Sequence, residues 1–196
     1  MLKKKDITDI FSVGLKLFLI TAISAMTLAF TNSITEPVIR KNAEKKQEES
    51  MKKVLSEAVS FEKSDMSALA LVELQCAVTD IYKGINKTGA DEGYAVMVSS
   101  GGYGGEISLA IGIDCELKVT AVDVISHSET PGLGAKCVSD AFKNQFINKS
   151  IGVEAVKNGA KDNQIDAITS ATITSKAVTN GVNTAITAVN LIKEAE

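Results

Sequence analysis

Residues 101–127 read GGYGGEISLAIGIDCELKVTAVDVISH. Short apolar runs are separated here by turn residues: the glycine cluster Gly101–Gly105 and a bend at Asp114–Glu116. Runs of this length, rich in Ile and Val and bounded by Gly or Asp, read as strands. The same texture extends upstream. From about Leu69, ALVELQCAVTDIYKG (70–84) and DEGYAVMVSS (91–100) are strand-like, with Gly84 and Gly93 read as turn residues. The whole stretch predicts an antiparallel meander.

Downstream the period changes. GLGAKCVSDAFKNQFI (132–147) carries Val138, Ala141, Phe142 and Phe146 at helical spacing. A short strand is expected near Val153–Val156. The closing segment places Val178, Val182, Ile186, Val189 and Ile192 near one helical stripe, and Asn180, Asn183 and Asn190 argue against its crossing a membrane. Strands grouped in one region with helices after them define an α+β class: an antiparallel sheet with flanking helices.

The chain has 196 residues, 45% of them hydrophobic, and a formal charge of −3. That length supports one domain with its own core. The weak acidic balance and the absence of Trp give no platform for nucleic acid. The N-terminus departs from this background. MLKKKD is basic, and IFSVGLKLFLITAISAMTLAF (10–30) is apolar with a single charge, Lys16. At about 1.5 Å per residue such a helix spans roughly 30 Å, the thickness of a bilayer core. The expected organisation is a basic tail at 1–9, a transmembrane helix at 10–30, a charged connecting helix at 31–60 and a domain at 61–196. Pro37 is expected in a first helical turn, breaking any continuous run from the membrane span. The positive-inside rule puts Lys3, Lys4 and Lys5 in the cytoplasm and the domain outside, on a single-pass protein of the cell (inner) membrane.

Cys76, Cys115 and Cys137 form no C-x-x-C pair, which argues against a metal or a redox dithiol. They read as small, partly buried apolar residues, although a domain outside the cytoplasm could pair two of them.

Three stretches could carry chemistry. GGYGG lacks the Lys-Ser/Thr ending of a phosphate-binding loop. It reads as a turn requiring positive φ or, secondarily, as a close backbone approach to a flat ligand. HSETPGLG (127–134) holds the chain's one histidine, and Pro131-Gly132 reads as a tight turn that could present Thr130 and backbone amides. DAITSATITSKAV (166–178) packs Thr169, Ser170, Thr172 and Thr174 just before the closing helix. One hydroxyl suffices for a cap, and Thr174 or Ser175 is expected to supply it. A phosphate near Thr172 would then meet unpaired amides and the positive helix end, worth about 0.3–1 kcal/mol.

In order, these three stretches resemble the signatures of the FMN-binding domain family. The last is similar to that family's flavinylation motif, D-x-x-(S/T)-G-A-T-x-(S/T). With the N-terminal anchor, the resemblance points first to the G subunits of Rnf-type ion-translocating ferredoxin:NAD oxidoreductases. The C subunits of sodium-pumping NADH:quinone reductases, usually longer, come second. The resemblance implies a membrane-anchored electron carrier with FMN attached covalently to Thr172 through a phosphoester, and Thr169, Ser170 and Ala171 as the rest of the core. It implies that Glu129, Thr130, Leu133 and Gly134 line the isoalloxazine, that Thr169 and Lys176 lie near the phosphate, and that Asp166 is recognised by a flavin transferase. The other membrane subunits of such a complex would be the partners. No general acid or base and no metal is assigned. Ser170 stands where the family has Gly; if that position needs positive φ, Ser is strained there. The alternatives are a flavin subunit of another reductase and a membrane-tethered assembly module without flavin.

Overall fold

The computed structural model describes residues 4–195, so Lys3 of the basic tail lies outside the described residues. Two compact units divide the chain, Met1–Lys45 and Lys46–Glu196.

The first helix, α1, runs from Lys4 to Val54 and is the one described helix long and apolar enough to cross a membrane. Within the first unit its apolar side chains face outward, Phe18, Ile23 and Leu28 among them. Several of its hydroxyls there bond back to helix carbonyls. Thr27 donates to the Ile23 carbonyl at 2.9 Å and Ser33 to that of Ala29 at 2.8 Å, which suits a segment without water around it. Pro37 does not break the helix; it lies inside it. A proline removes one backbone donor and crowds one carbonyl, and the long helical runs on both sides outweigh that local loss.

The second unit is built on a five-stranded antiparallel sheet in sequence order: β1 (Ser60–Lys63), β2 (Ala77–Ile85), β3 (Asp91–Gly101), β4 (Glu106–Ile113) and β5 (Val119–Ser126). The expected meander is present, with corrections. The segment from Leu69 to Leu74 is not strand; a 3₁₀ turn occupies Ser67–Leu71 and the ladder starts at Ala77. Gly84 and Gly93 are not turn residues. They face each other across the β2–β3 ladder, beside a bulge. The turn is Asn86–Ala90, where the Asn86 side chain accepts the amides of Thr88 and Ala90. The Asp114 carboxylate fastens the β4–β5 turn in the same way, through Glu116 and Lys118. Both are Asx turns, which the side chain closes locally.

Alternation in β3 and β4 gives the sheet two buried faces. Tyr94, Val96, Val98, Ile107, Leu109, Ile111 and Ile113 face a helix α3 (Thr172–Ala195) through Val178, Val182, Ile186 and Val189. Ala95, Met97 and Ala110 face the other way, onto Met51, Val54 and Leu55 at the end of α1. Small residues let the helices approach. A Cβ on Gly181 of α3 would lie 2.6 Å from Leu109 Cδ1.

The segment 132–147 does not form one helix. It breaks into a 3₁₀ turn at Gly134–Val138, a one-turn α2 (Asp140–Lys143) and a second 3₁₀ turn at Asn144–Phe146. Its apolar side chains are placed by contacts instead. Phe142 and Phe146 meet edge to face, 5.5 Å apart, inside the main core. The strand expected at Val153–Val156 is β6 (Glu154–Val156), and it pairs in parallel with β7 (Gln164–Asp166). β1 and β7 are too short to show in a periodicity reading.

Candidate functional site

The three stretches meet at one end of the sheet. GGYGG forms the β3–β4 connection, closed by the Gly102 amide donating to the Gly105 carbonyl at 2.8 Å. Only Gly105 of the cluster has positive φ. Gly102 and Gly104 are required for close approach, but to protein. A Cβ on Gly102 would lie 2.3 Å from Glu129 Oε1, and one on Gly104 would lie 2.1 Å from the Ser128 carbonyl oxygen.

HSETPGLG follows β5. The amides of Leu133 and Ala135 both donate to the Thr130 carbonyl, and Gly132 has φ 79°. Pro followed by a positive-φ Gly is the type II turn chemistry expected at Pro131-Gly132. The Glu129 amide donates to His127 Nδ1 at 3.2 Å, so the histidine braces the loop.

The hydroxyl cluster departs from expectation in a specific way. α3 begins at Thr172, not after it. Neither Thr174 nor Ser175 caps the helix; both lie inside it and are buried. Ser175 Oγ accepts the Ile168 amide at 2.9 Å and donates to the Ala171 carbonyl at 3.0 Å, pinning the preceding turn. In that turn the Ala171 amide reaches the Ile168 carbonyl, and Ser170 sits at φ 62°. The left-handed backbone that favours Gly is therefore real, and here a Ser adopts it.

These elements enclose a cleft of about 450 Å³, within the roughly 300–1,000 Å³ usual for small-molecule sites. It is lined by Glu129, Thr130, Leu133 and Gly134 on one side and by Ser170, Ala171 and Thr172 on the other. Tyr103, Ile173 and Thr174 line it as well and were missed as lining residues. The tyrosine inside GGYGG and the apolar Ile173 within a polar run were the available signals. Thr172 is exposed at the first residue of α3, beside first-turn amides that no intrahelical carbonyl can reach. Thr169 and Lys176 are exposed but do not line this cleft. Asp166 lies apart too. Its carboxylate accepts the Ala160 amide at 3.0 Å, and its amide donates to the Gln145 side chain at 2.7 Å.

Glu129 is the charged group of the cleft wall and is only 6% exposed. Burial pushes its carboxyl upward. The Thr174 hydroxyl, the Gly104 and Tyr103 amides and His127 more than offset this, leaving it below the usual carboxylate range.

The geometry suits FMN. An exposed hydroxyl stands next to free amides that suit a phosphate, on a cleft whose exposed wall includes Tyr103, Leu133 and Ile173. Known proteins point to the same ligand. The FMN-binding domain family matches residues 102–187, and the RnfG N-terminal region family matches residues 1–54. The fold is shared with NqrC of Shewanella oneidensis, at TM-score 0.57 and 16% identity over 76% of this chain and 99% of that one. It is also shared with the C subunit of the Na(+)-translocating NADH-quinone reductase of Parabacteroides distasonis, at TM-score 0.55 and 22% identity over 78% and 92%. Fold and site thus define an FMN-binding domain protein.

Full-length relatives narrow the class. The chain is 37% identical to the G subunit of the Na(+)-translocating ferredoxin:NAD(+) oxidoreductase complex of Acetobacterium woodii, over 90% of each chain. It is 36% identical to the proton-translocating counterpart of Clostridium ljungdahlii, over 95% of each. The chain belongs to the family of G subunits of the ion-translocating ferredoxin:NAD(+) oxidoreductase (Rnf) complexes.

Proposed function

We propose that the chain is a membrane-anchored electron carrier of such a complex, with FMN joined to Thr172 through a phosphoester. The observation that carries this reading is the exposed Thr172 hydroxyl on the wall of the cleft that the three stretches build together. In attachment, the Thr172 oxygen forms a bond to the flavin phosphorus. The bond from that phosphorus to the nucleotide half of a flavin dinucleotide donor breaks, nucleoside monophosphate leaves, and the hydroxyl gives up its proton. A separate flavin transferase is the catalyst, and Asp166 is part of what it recognises.

Bound FMN supplies one- and two-electron chemistry. The chain's own residues do the rest. Thr172 tethers, and the first-turn amides of α3 hold the phosphate, with Thr169 and Lys176 nearby. Leu133, Gly134, Thr130, Ser170 and Ala171 shape the flavin's bed. Residues 10–30 are the membrane anchor, with the N-terminus in the cytoplasm, residues 31–60 the connection and residues 61–196 the domain outside. The neighbouring subunits of the complex deliver and remove the electrons.

The test is co-expression with a flavin transferase, a denaturing gel viewed under ultraviolet light, and mass spectrometry of the Thr172 peptide. The expected result is a fluorescent band and a peptide heavier by FMN less one water. Thr172→Val should remain folded and membrane-bound yet dark. A dark wild-type band beside a fluorescent control would refute covalent attachment and favour the assembly-module reading.

A further inference from the structure

We propose that Glu129 is a positioning residue for flavin attachment: through the Thr174 hydroxyl it holds the first turn of α3 so that Thr172 faces the cleft. The proposal rests on the reading of Thr172 above and adds to it the residue on which Thr172 depends.

Thr174 is the last hydroxyl of the stretch that begins at Asp166 and ends before Ser175, and it is 1% exposed. It cannot be a contact for a transferase in the folded chain. Its Oγ1 donates to Glu129 Oε2 at 2.7 Å, while Glu129 Oε1 accepts the Gly104 amide at 3.0 Å. One carboxylate thus joins all three stretches: it belongs to HSETPGLG, receives an amide from GGYGG and receives a hydroxyl from the helix. The space around it admits nothing else. A Cβ on Gly134 would lie 2.2 Å from Oε2 and 2.7 Å from Thr174 Oγ1, and one on Gly102 would lie 2.3 Å from Oε1.

Helical geometry carries the effect to Thr172. Two residues along an α-helix turn a side chain by about 200°. With Thr174 pinned inward, Thr172 is left on the accessible side of the turn, where it is exposed and lines the cleft. Both oxygens of Glu129 already accept protein donors, and one of these is the Thr174 hydroxyl through which the carboxylate reaches the helix turn. A buried donor or carboxylate that loses its partner is left unsatisfied, and the first turn can relieve that by rotating or fraying.

The experiment uses the full chain in detergent, purified from cells lacking a flavin transferase. Transferase and a flavin dinucleotide are added, and attachment is followed by in-gel fluorescence. Thr174→Val and Glu129→Gln should melt as cooperative folded proteins but accept flavin about tenfold more slowly or worse. Thr174→Ser, which keeps the hydroxyl, should return to within about threefold of wild type. The double variant should be no slower than the worse single one, because both act on the same Thr174–Glu129 contact, which Thr174→Val deletes and Glu129→Gln weakens by removing its charge. Lys143→Met, which weakens the domain away from the cleft, should attach flavin at the wild-type rate.

A wild-type chain that takes no flavin refutes the Thr172 reading itself. A wild-type chain that takes flavin, with Thr174→Val and Glu129→Gln equally fast, overturns the positioning role alone. So does equal slowing by Lys143→Met, or loss of both cleft variants to unfolding, since either would make the bond a matter of stability only.

Discussion

The Thr120 hydroxyl on β5 donates to the carbonyl of Val54, the last residue of α1, at 2.6 Å. A helix end has carbonyls with no intrahelical partner, and here a strand supplies one. Gly112 on β4 makes the approach possible: a Cβ there would lie 2.2 Å from both the Val54 carbonyl oxygen and Thr120 Oγ1. Helix end, strand and glycine form one joint. Gly112→Ala should therefore destabilise the domain by about 1–3 kcal/mol, the usual range for overpacking, read as a lower melting temperature in detergent. An unchanged melt would mean that the joint yields freely.

Beside that joint, Asp123 is buried and accepts hydrogen bonds from Ser50 at 2.9 Å, Lys53 at 3.2 Å and Lys143 at 3.3 Å. The Lys143 side chain is 16% exposed and that of Lys53 is 64% exposed. Lys143→Met should cost about 1–3 kcal/mol, because it strips a buried carboxylate of its shielded partner. Lys53→Met should cost about 0–1 kcal/mol, as for a surface pair. Urea midpoints of the two variants would rank them.

Acid should reveal the same cluster. Burial pushes the Asp123 carboxyl up, but Ser50, Lys53 and Lys143 together hold it below its ordinary value. A carboxyl lowered in the folded state contributes stability that is complete above its unfolded value. That contribution is lost as pH falls through the folded value. Stability should thus drop from about pH 5 downward. Asp123→Asn should be less stable at neutral pH and show a flatter acid limb. Glu129 shifts in the same direction and adds to the wild-type slope.

Ser170 has φ 62°. Ser170→Val should destabilise by about 1–2 kcal/mol, because a β-branched side chain is poorly tolerated in the left-handed region. Ser170→Gly should be neutral or stabilising by up to about 1 kcal/mol, since relief of strain is partly offset by the freer unfolded chain. Thermal melts of the two variants on either side of wild type are the expected pattern.

The three cysteines are free thiols with different surroundings. Cys115 is exposed, contrary to a reading of all three as partly buried. Cys137 is fully buried, and burial pushes its thiol up to about 11. Iodoacetamide at pH 8 should label Cys115 within minutes and leave Cys137 unlabelled until denaturant is added. Peptide mass spectrometry reads both.

Local patterns made much of this legible in the sequence. The apolar run of α1, the strands β2–β5, the stripe of α3 and the type II turn at Pro131-Gly132 each follow from a period or a dipeptide that acts over a few residues. The resemblance of residues 166–174 to the flavinylation motif nominated Thr172, and the Gly of that motif raised the question of strain at Ser170. Where short-range and long-range effects competed, the sequence misled. The spacing of Val138, Ala141, Phe142 and Phe146 suggested a helix, yet Phe142 and Phe146 are held by the core through broken turns. Gly84 and Gly93 looked like punctuation and are ladder partners. Thr174 looked like a cap and is a buried donor to a carboxylate 45 residues away.

What the sequence determined by itself was the long elements, α1, β2–β5 and α3, because propensity, periodicity and turn chemistry are written within a few neighbouring residues. Which side chains share the cleft was decided only by the tertiary structure. Glu129 and its partners Thr174 and Gly104 come from three separate stretches, and no local pattern encodes the fold that brings a hydroxyl and a side-chain-free backbone to within 3 Å of one buried carboxylate.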